Sequence, residues 1–235
     1  MSIELLNMNC LDYMDSLQFP TKGFDLAIVD PPYGLNFAME KERKATATRS
    51  AQFKFARKEW DSATPTREYF NELKRVSTNQ IIWGGNYFLD HLNATNCIII
   101  WDKQNPEGMR FSDGEMAWCS FNTSLRIYRS NRTYKEETQI HPTQKPVKLY
   151  EWLLTNYAKP GMRILDTHLG SGSSAIAAHN LGFDFVGMEL DADYYAAACK
   201  RFEQHKAQGS LFIPDTPRDA YEQTDFLASA QGCGA

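Results

Sequence analysis

The chain has 235 residues, enough for one α/β domain with a full core and short for two. Apolar residues make up 43% and charged residues 23%, the balance of a globular protein and not of a disordered or membrane-embedded chain. At a net charge of −4 no overall basicity advertises a nucleic acid, so any such partner must be held by a local patch.

Residues 3–8, Ile3-Glu4-Leu5-Leu6-Asn7-Met8, read as a short strand, and Asn9-Cys10-Leu11 opens a helix that closes near Pro20-Thr21-Lys22-Gly23. The apolar run from Phe24 to Val29 reads as a buried strand. Asp30-Pro31-Pro32-Tyr33 ends it, because neither proline has an N–H to continue a sheet ladder. The chain leaves the sheet with a carboxylate at the strand's carboxyl end and an aromatic ring three residues on, joined by stiff backbone whose carbonyls are free to accept hydrogen bonds. Such a corner suits a flat ring bearing an amino group, and ligands of open α/β sheets bind at the carboxyl ends of strands.

Residues 34–60 lack a period of two or of 3.6. Lys41, Arg43, Lys44, Arg49, Lys54, Arg57 and Lys58 lie there among Ala, Thr and Ser, with Phe53, Phe55 and Trp60 interleaved. A charge run alone is usually a solvated surface. Here positive charge is concentrated against an acidic background and leaves directly from the Asp30 corner, which points to phosphate neutralisation and base stacking.

Tyr69, Phe70, Leu73 and Val76 predict a helix over 66–75, and Ile81-Ile82-Trp83 a strand broken by Gly84-Gly85-Asn86. A short helix is expected from Tyr87 to Leu92 and a strand over 97–101. Alternation at Met116 to Ser120 and at Leu125 to Tyr128 predicts the two strands of a hairpin around Asn122-Thr123. Residues 129–140, with Arg129, Arg132 and Lys135, form a second basic loop. Trp83, Trp101, Trp118 and Trp152 read as core.

His141-Pro142-Thr143-Gln144-Lys145-Pro146 precedes an amphipathic helix, Val147 to Tyr157, which Pro160-Gly161 stops. A lysine at a helix N-terminus opposes the helix dipole, which leaves a ligand carboxylate as a use for Lys145. A strand from Met162 to Asp166 then runs through Thr167-His168-Leu169 into Gly170-Ser171-Gly172-Ser173-Ser174-Ala175 and a helix to Leu181, ended by Gly182. The next strand closes on Glu189, about 20 positions beyond Gly170, the spacing of a nucleotide-binding βαβ unit whose acid takes ribose hydroxyls. Asp191 caps a last helix to His205, and the chain after Gly209 reads as a poorly ordered tail.

The glycine turn alone is compatible with NAD, FAD or S-adenosylmethionine (SAM). Only one βαβ unit is evident, and Asp166 before the turn would repel a pyrophosphate but face a ligand amine; both favour SAM. With the Asp30 corner in the same α/β pattern, the chain resembles the β-class DNA amino-methyltransferases over roughly residues 3–205. The motif order, Asp30–Tyr33, then His141–Pro146, then Asp166–Gly172, is a circular permutation of the common methyltransferase order. The resemblance implies a SAM-dependent, Rossmann-like α/β fold: a mostly parallel seven-stranded sheet with helices on both faces and one reversed strand.

The same resemblance implies site roles. Asp30, Pro31, Pro32 and Tyr33 are catalytic, with Asp30 also bordering the cofactor. Asp166, Gly170 and Gly172 border the SAM methionine, Glu189 takes the ribose hydroxyls, Lys145, His141 and Thr143 reach the carboxylate, and Ser171 and Leu190 are further cofactor-binding residues. Asn9-Cys10-Leu11 lies by the adenine, with Asn9 in place of the usual Asp, and His168 stands where the family commonly has a Phe that packs on the cofactor. The implied reaction is N6-methylation of an adenine flipped out of double-stranded DNA, in a restriction-modification setting. The Asp of the tetrapeptide favours adenine; N4-cytosine is the alternative. An RNA or protein N-methyltransferase and a non-catalytic SAM- or DNA-binding module stand behind these.

One catalytic domain is expected over 1–208, with DNA-contacting loops near 34–60 and 129–140 and a tail over 209–235. The five scattered cysteines have no zinc spacing, so reduced thiols and no metal are expected. The N-terminus does not read as a signal peptide, and no apolar run is long enough to span a bilayer. A cytoplasmic protein of bacterial or phage origin is expected, with no membrane partner and a homodimer left open.

Overall fold

The fold is organised around the strand β2 (Phe24–Val29), which the computed structural model buries on both faces. The model describes residues 1–18, 22–35, 61–106, 112–130 and 139–210. Leu26 and Ile28 face one hydrophobic cluster and Ala27 and Val29 the other, so β2 lies in the middle of a three-layer sandwich. The remaining strands are β1 (Ile3–Asn7), β3 (Ser77–Trp83), β4 (Ile98–Asp102), β5 (Gly114–Cys119), β6 (Arg126–Arg129), β7 (Arg163–Asp166) and β8 (Asp184–Glu189). They form one sheet in the order β1-β8-β7-β2-β3-β5-β4-β6.

The helices are α1 (Cys10–Ser16), α2 (Arg67–Val76), α3 (Val147–Tyr157), α4 (Ser173–Leu181) and α5 (Ala192–Ser210). Helices α1 and α2 cover one face through Met14, Tyr69, Phe70, Leu73 and Val76. The other face is covered by α3, α4 and α5 through residues such as Leu149, Leu153, Ile176 and Phe202. No helix among the described residues is long and apolar enough to cross a membrane.

Among the described residues the sheet has eight strands where seven were expected, and β5 is the one reversed strand, antiparallel to both β3 and β4. The hairpin expected between Met116–Ser120 and Leu125–Tyr128 is not formed. Instead β6 pairs with β4 in parallel, on the side away from β5. The reason lies in the link between them. Thr95 Oγ1 donates to Cys119 O at 2.7 Å, and Thr123 Oγ1 donates to Cys97 Sγ at 3.2 Å. The turn after β5 is thereby tied to the segment entering β4, and the chain continues past β4 to its far edge. Alternation reports which face a residue takes, not which strand lies beside it. The helix expected over 87–92 is also shorter and earlier: a single 3₁₀ turn over Gly85–Tyr87, begun by Gly84 with φ of 71°.

From β2 the chain winds through α2 to β3, and from β7 it winds through α4 to β8 in the opposite direction. The boundary between β2 and β7 is therefore a topological switch point, where doubly wound sheets leave a crevice outside their carboxyl ends. Asp30 follows β2 there, and Asp166 is the last residue of β7. Glu189 ends β8 and Asn9 follows β1 in the neighbouring positions. Because β5 is reversed, its first residues reach this same end of the sheet: Gly114 pairs with Asp102, the last residue of β4.

Candidate active site

Two prolines after Val29 force the chain out of the sheet, and Asp61 catches it. Asp61, 4% exposed, accepts the backbone N–H groups of Tyr33 and Gly34 on Oδ1 at 2.8 and 2.9 Å. The Tyr33 hydroxyl then turns back and donates to Asp30 Oδ1 at 2.5 Å. Its ring stacks on Tyr87, with centroids 4.9 Å apart and planes 17° from parallel, and meets Phe88 edge-on at 6.1 Å. Gly84 lies against the same ring so closely that a Cβ there would stand 2.2 Å from Tyr33 Cε1.

The second oxygen of Asp30 is 2.5 Å from the ammonium of Lys145, which is 4% exposed. The same ammonium is 3.0 Å from Glu115 Oε2, and Lys103 Nζ is 2.7 Å from Glu115 Oε1. Burial pushes the Asp30 carboxyl above the ordinary carboxylate range, against the pull of Lys145. Burial acts the same way on Glu115, but its two ammonium neighbours override it and hold that carboxyl at about 2. Burial alone would pull Lys145 down; Asp30 and Glu115 together hold it above the ordinary lysine value.

Two cavities meet at this corner. One, of about 510 Å³, is lined by Asp30, Pro31, Pro32, Tyr33, Tyr87, Trp101, Lys103, Glu115 and Met116 among others. The second, of about 280 Å³, is lined by Asn9, Cys10, Leu11, His141, His168, Gly170, Ser171, Glu189 and Leu190 among others. Asp30, Pro32, Thr143, Gln144 and Lys145 border both.

Around the second cavity, the residues are arranged by short contacts. Asn9 Oδ1 caps α1 by accepting from Leu11 N at 2.8 Å, and burial pushes the Cys10 thiol up to about 11. Glu189 accepts Gly170 N on Oε2 at 2.9 Å and Asp191 N on Oε1 at 3.0 Å, so the acid at the end of β8 braces the glycine turn after β7. Gly170 has φ of 53°, which favours glycine. His141 Nδ1 is 3.1 Å from Thr143 Oγ1, and the His141 ring stands edge-on to Tyr194 at 4.4 Å. His168 is fixed by Thr167 Oγ1 at 2.9 Å and by the Tyr69 ring at 5.4 Å, and burial lowers its pKa to about 4, so it is neutral near pH 7. This is the position where a Phe was the usual residue; the neutral imidazole fills it as a flat ring.

Asp166 and Gly172 are not among the residues lining that cavity. Asp166 is buried, accepts Ser174 Oγ at 2.6 Å and His168 N at 3.0 Å, and is pushed up to about 7 by burial. Gly172 is the N-cap of α4, and a Cβ there would face Ala198. Both shape the turn from within. Arg129, at the end of β6, is exposed and lies 3.5 Å from Asp102; it is not itself among the residues lining either cavity, but Trp101 and Lys103 on either side of Asp102 line the larger one. Lys41, Arg43, Lys44, Arg49, Lys54, Arg57, Lys58, Arg132 and Lys135 lie outside the described residues, as does most of the expected tail.

Asp61, Lys103, Glu115 and Tyr87 belong to this site and went unread in the sequence. Gly84 was read only as a strand breaker. None sits in a local motif; each arrives through the sheet order or across a long loop.

A doubly wound sheet with paired cavities on either side of an Asp-Pro-Pro-Tyr corner is the architecture of the SAM-dependent DNA methyltransferases. Superposition agrees. The fold matches a crystal structure of M1.HpyAVI in complex with SAM with a TM-score of 0.58 at 19% identity, covering 85% of this chain and 99% of that one. It matches the cytosine-N4-specific PvuII DNA methyltransferase with a TM-score of 0.59 at 13% identity, covering 88% and 91%. At these identities the likeness is one of fold.

The chain belongs to the DNA methylase family of the N6/N4 type, whose family model matches residues 80–200. Its reaction is SAM-dependent methyl transfer to DNA. Among curated relatives, the type II methyltransferase M.HinfI of Haemophilus influenzae is 27% identical over 97% of this chain and 78% of its own length. The type II methyltransferase M2.DpnII of Streptococcus pneumoniae is 41% identical over 58% of this chain and 53% of its own length.

Proposed function

We propose that the chain methylates the N6 amino group of adenine flipped out of double-stranded DNA. The observation that carries this reading is the shared wall: Asp30 borders both cavities, so a planar base in the larger one and a methyl donor in the smaller one meet at one carboxylate. An adenine amino nitrogen is a poor nucleophile because its lone pair is delocalised into the ring. Hydrogen bonds from its two hydrogens to Asp30 and to the Pro31 carbonyl localise that lone pair. Flipping costs a few kcal/mol of unstacking, and the Tyr33 ring recovers part of it by stacking.

Bound SAM supplies a methyl group on a positively charged sulfur, already activated for transfer. The residues of the smaller cavity fit it: Glu189 suits ribose hydroxyls, Leu11 and Leu190 an adenine, and Thr143 and His141 the methionine end. As the carbon–nitrogen bond forms and the carbon–sulfur bond breaks, one amino proton is released beside Asp30. Most of the rate gain comes from positioning, since neither metal nor enzyme nucleophile is called for.

The fold does not choose the base, since a cytosine-N4-specific enzyme shares it. Asp30 at the head of the tetrapeptide supports adenine. The basic residues of 34–60 and 129–140 are proposed to contact DNA, and the reading implies a cytoplasmic enzyme working alongside restriction.

Radiolabelled SAM with unmethylated genomic DNA, followed by nuclease digestion and nucleoside mass spectrometry, tests the reading. N6-methyladenine supports it. N4-methylcytosine keeps the mechanism and overturns the base. No transfer to DNA with SAM bound overturns the whole.

A further inference from the structure

Asp30 is the last member of a chain of four alternating charges. Lys103 pairs with Glu115 at 2.7 Å, Glu115 with Lys145 at 3.0 Å, and Lys145 with Asp30 at 2.5 Å. The quartet is neutral as a whole, two ammonium groups against two carboxylates. Lys145 also sits over the rings of Trp83 and Tyr33, at 5.3 and 5.9 Å.

We propose that Lys145 and Glu115 are positioning residues for methyl transfer: Lys145 holds Asp30 ionised and aimed, and Glu115, anchored by Lys103, holds Lys145 in place. The proposal rests on the function argued above and deepens it. It differs from the role expected for Lys145, that of a ligand for the SAM carboxylate. That ammonium already donates to Asp30 Oδ2 and, at 3.4 Å, to the Tyr33 hydroxyl, and it lies 3.0 Å from Glu115 Oε2 as an ion pair outside hydrogen-bond geometry. A cofactor carboxylate would have to compete for it with two carboxylates already in place.

A carboxylate buried without a counter-ion takes up a proton, and a carboxylic acid is a poor acceptor for an amino hydrogen. Lys145 prevents that. A lysine stem is flexible, and this one borders both cavities, so one anion alone would leave the ammonium free to swing toward the cofactor side. The second anion, Glu115, fixes it on the base side. Glu115 is a like charge near Asp30, and it is tolerable because Lys103 balances it. The charged or titratable groups facing Asp30 are Lys145, Glu115 and Tyr33, with Asp166, Tyr69 and Tyr150 at longer range.

The signs follow. Removing Lys145 leaves Asp30 without its counter-ion, with the carboxylate of Glu115 nearby and only the Tyr33 hydroxyl to support the ionised form, so it protonates at higher pH and the acid limb of the rate profile moves up. Removing Glu115 alone loosens Lys145 and slows transfer. Removing Glu115 where Lys145 is already gone removes a repelling charge, so the second substitution does no further harm.

The test compares wild type with Lys145→Gln, Lys145→Arg, Glu115→Gln and the Lys145→Gln/Glu115→Gln double variant. Single-turnover rates across pH are measured together with SAM dissociation constants. Lys145→Gln should lose about 100-fold in rate near neutrality, the scale of a mispositioned catalytic group, and recover toward alkaline pH while SAM affinity holds. Lys145→Arg should keep the acid limb in place. Glu115→Gln should lose about tenfold, and the double variant should be no slower than Lys145→Gln.

A tenfold weakening of SAM binding in Lys145→Gln with an unmoved pH profile would overturn the proposal in favour of a cofactor ligand. Full activity in Glu115→Gln would overturn the part assigned to Glu115. If Lys145→Gln does not fold, Lys145→Arg and Glu115→Gln still decide the matter. Carbon-13 carboxyl NMR of Asp30 needs no substrate, so it separates this proposal from the functional reading. Asp30 must titrate at higher pH in Lys145→Gln than in wild type, whether or not DNA is the acceptor.

Discussion

Asp61 holds Tyr33 by its backbone, not by its ring: one carboxylate oxygen accepts the Tyr33 N–H at 2.8 Å and the Gly34 N–H at 2.9 Å. The two residues flank residues 36–60 in sequence, and both line the larger cavity.

Asp61→Ala should leave two enclosed backbone N–H groups without this acceptor and destabilise the fold by about 1–3 kcal/mol. Transfer should fall by about tenfold or more through a misplaced Tyr33. Asp61→Asn, which keeps an acceptor oxygen, should lose less of both. Urea unfolding and steady-state rates on the two variants check this, and equal behaviour of Asn and Ala would contradict it.

Gly84→Ala puts a methyl group 2.2 Å from the Tyr33 ring at a backbone φ of 71°. The ring must move off the corner it shares with Asp30. Transfer should drop by about 100-fold, the cost of a displacement near 1 Å. SAM affinity should be unchanged, because Gly84 borders the larger cavity and not the smaller one. Calorimetric SAM binding beside a methylation assay separates the two effects.

Asp30→Ala should abolish transfer while SAM binding persists. In the wild type, burial raises the Asp30 pKa, so the rate should fall on the acid side at a higher pH than an ordinary aspartate would give. A rate that stays flat as pH falls through the ordinary aspartate range would show that Asp30 does not have to be ionised.

Asp166 carries a prediction about stability. Its folded-state pKa is about 7 against an ordinary 3.8, so the folded state binds this proton more tightly than the unfolded state. The stabilisation it contributes is full below the ordinary value and is lost as pH rises through about 7. Asp166→Asn does not ionise. Its urea midpoint should gain on the wild type between pH 4.5 and 7.5, and a constant difference across that range would refute the assignment.

Many elements were readable in the sequence because their signals are local. The strand at 24–29 ends where two prolines forbid a ladder, and the helix at 147–157 begins and ends where expected, between Pro146 and Pro160-Gly161. Asp191 caps α5 as its spacing from the preceding strand suggests, accepting Asp193 N and Tyr194 N at 3.0 Å. The hairpin at 116–128 was misread because two alternating stretches joined by a short turn look the same whether or not a third strand lies between them. Here β4 lies between them, held in place by Thr95 and Thr123.

The sequence by itself determined the carboxyl-end residues of the parallel strands, Asp30, Gly170 and Glu189, and with them the family, because each is written within a few residues of a strand's end. Only the tertiary structure decided which charges meet. Glu115 reaches Lys145 because β5 runs backwards and delivers its first residues to the site, and Asp61 reaches Tyr33 across the basic segment. Strand order and loop closure are set by contacts between distant residues, and no local pattern of side chains encodes them.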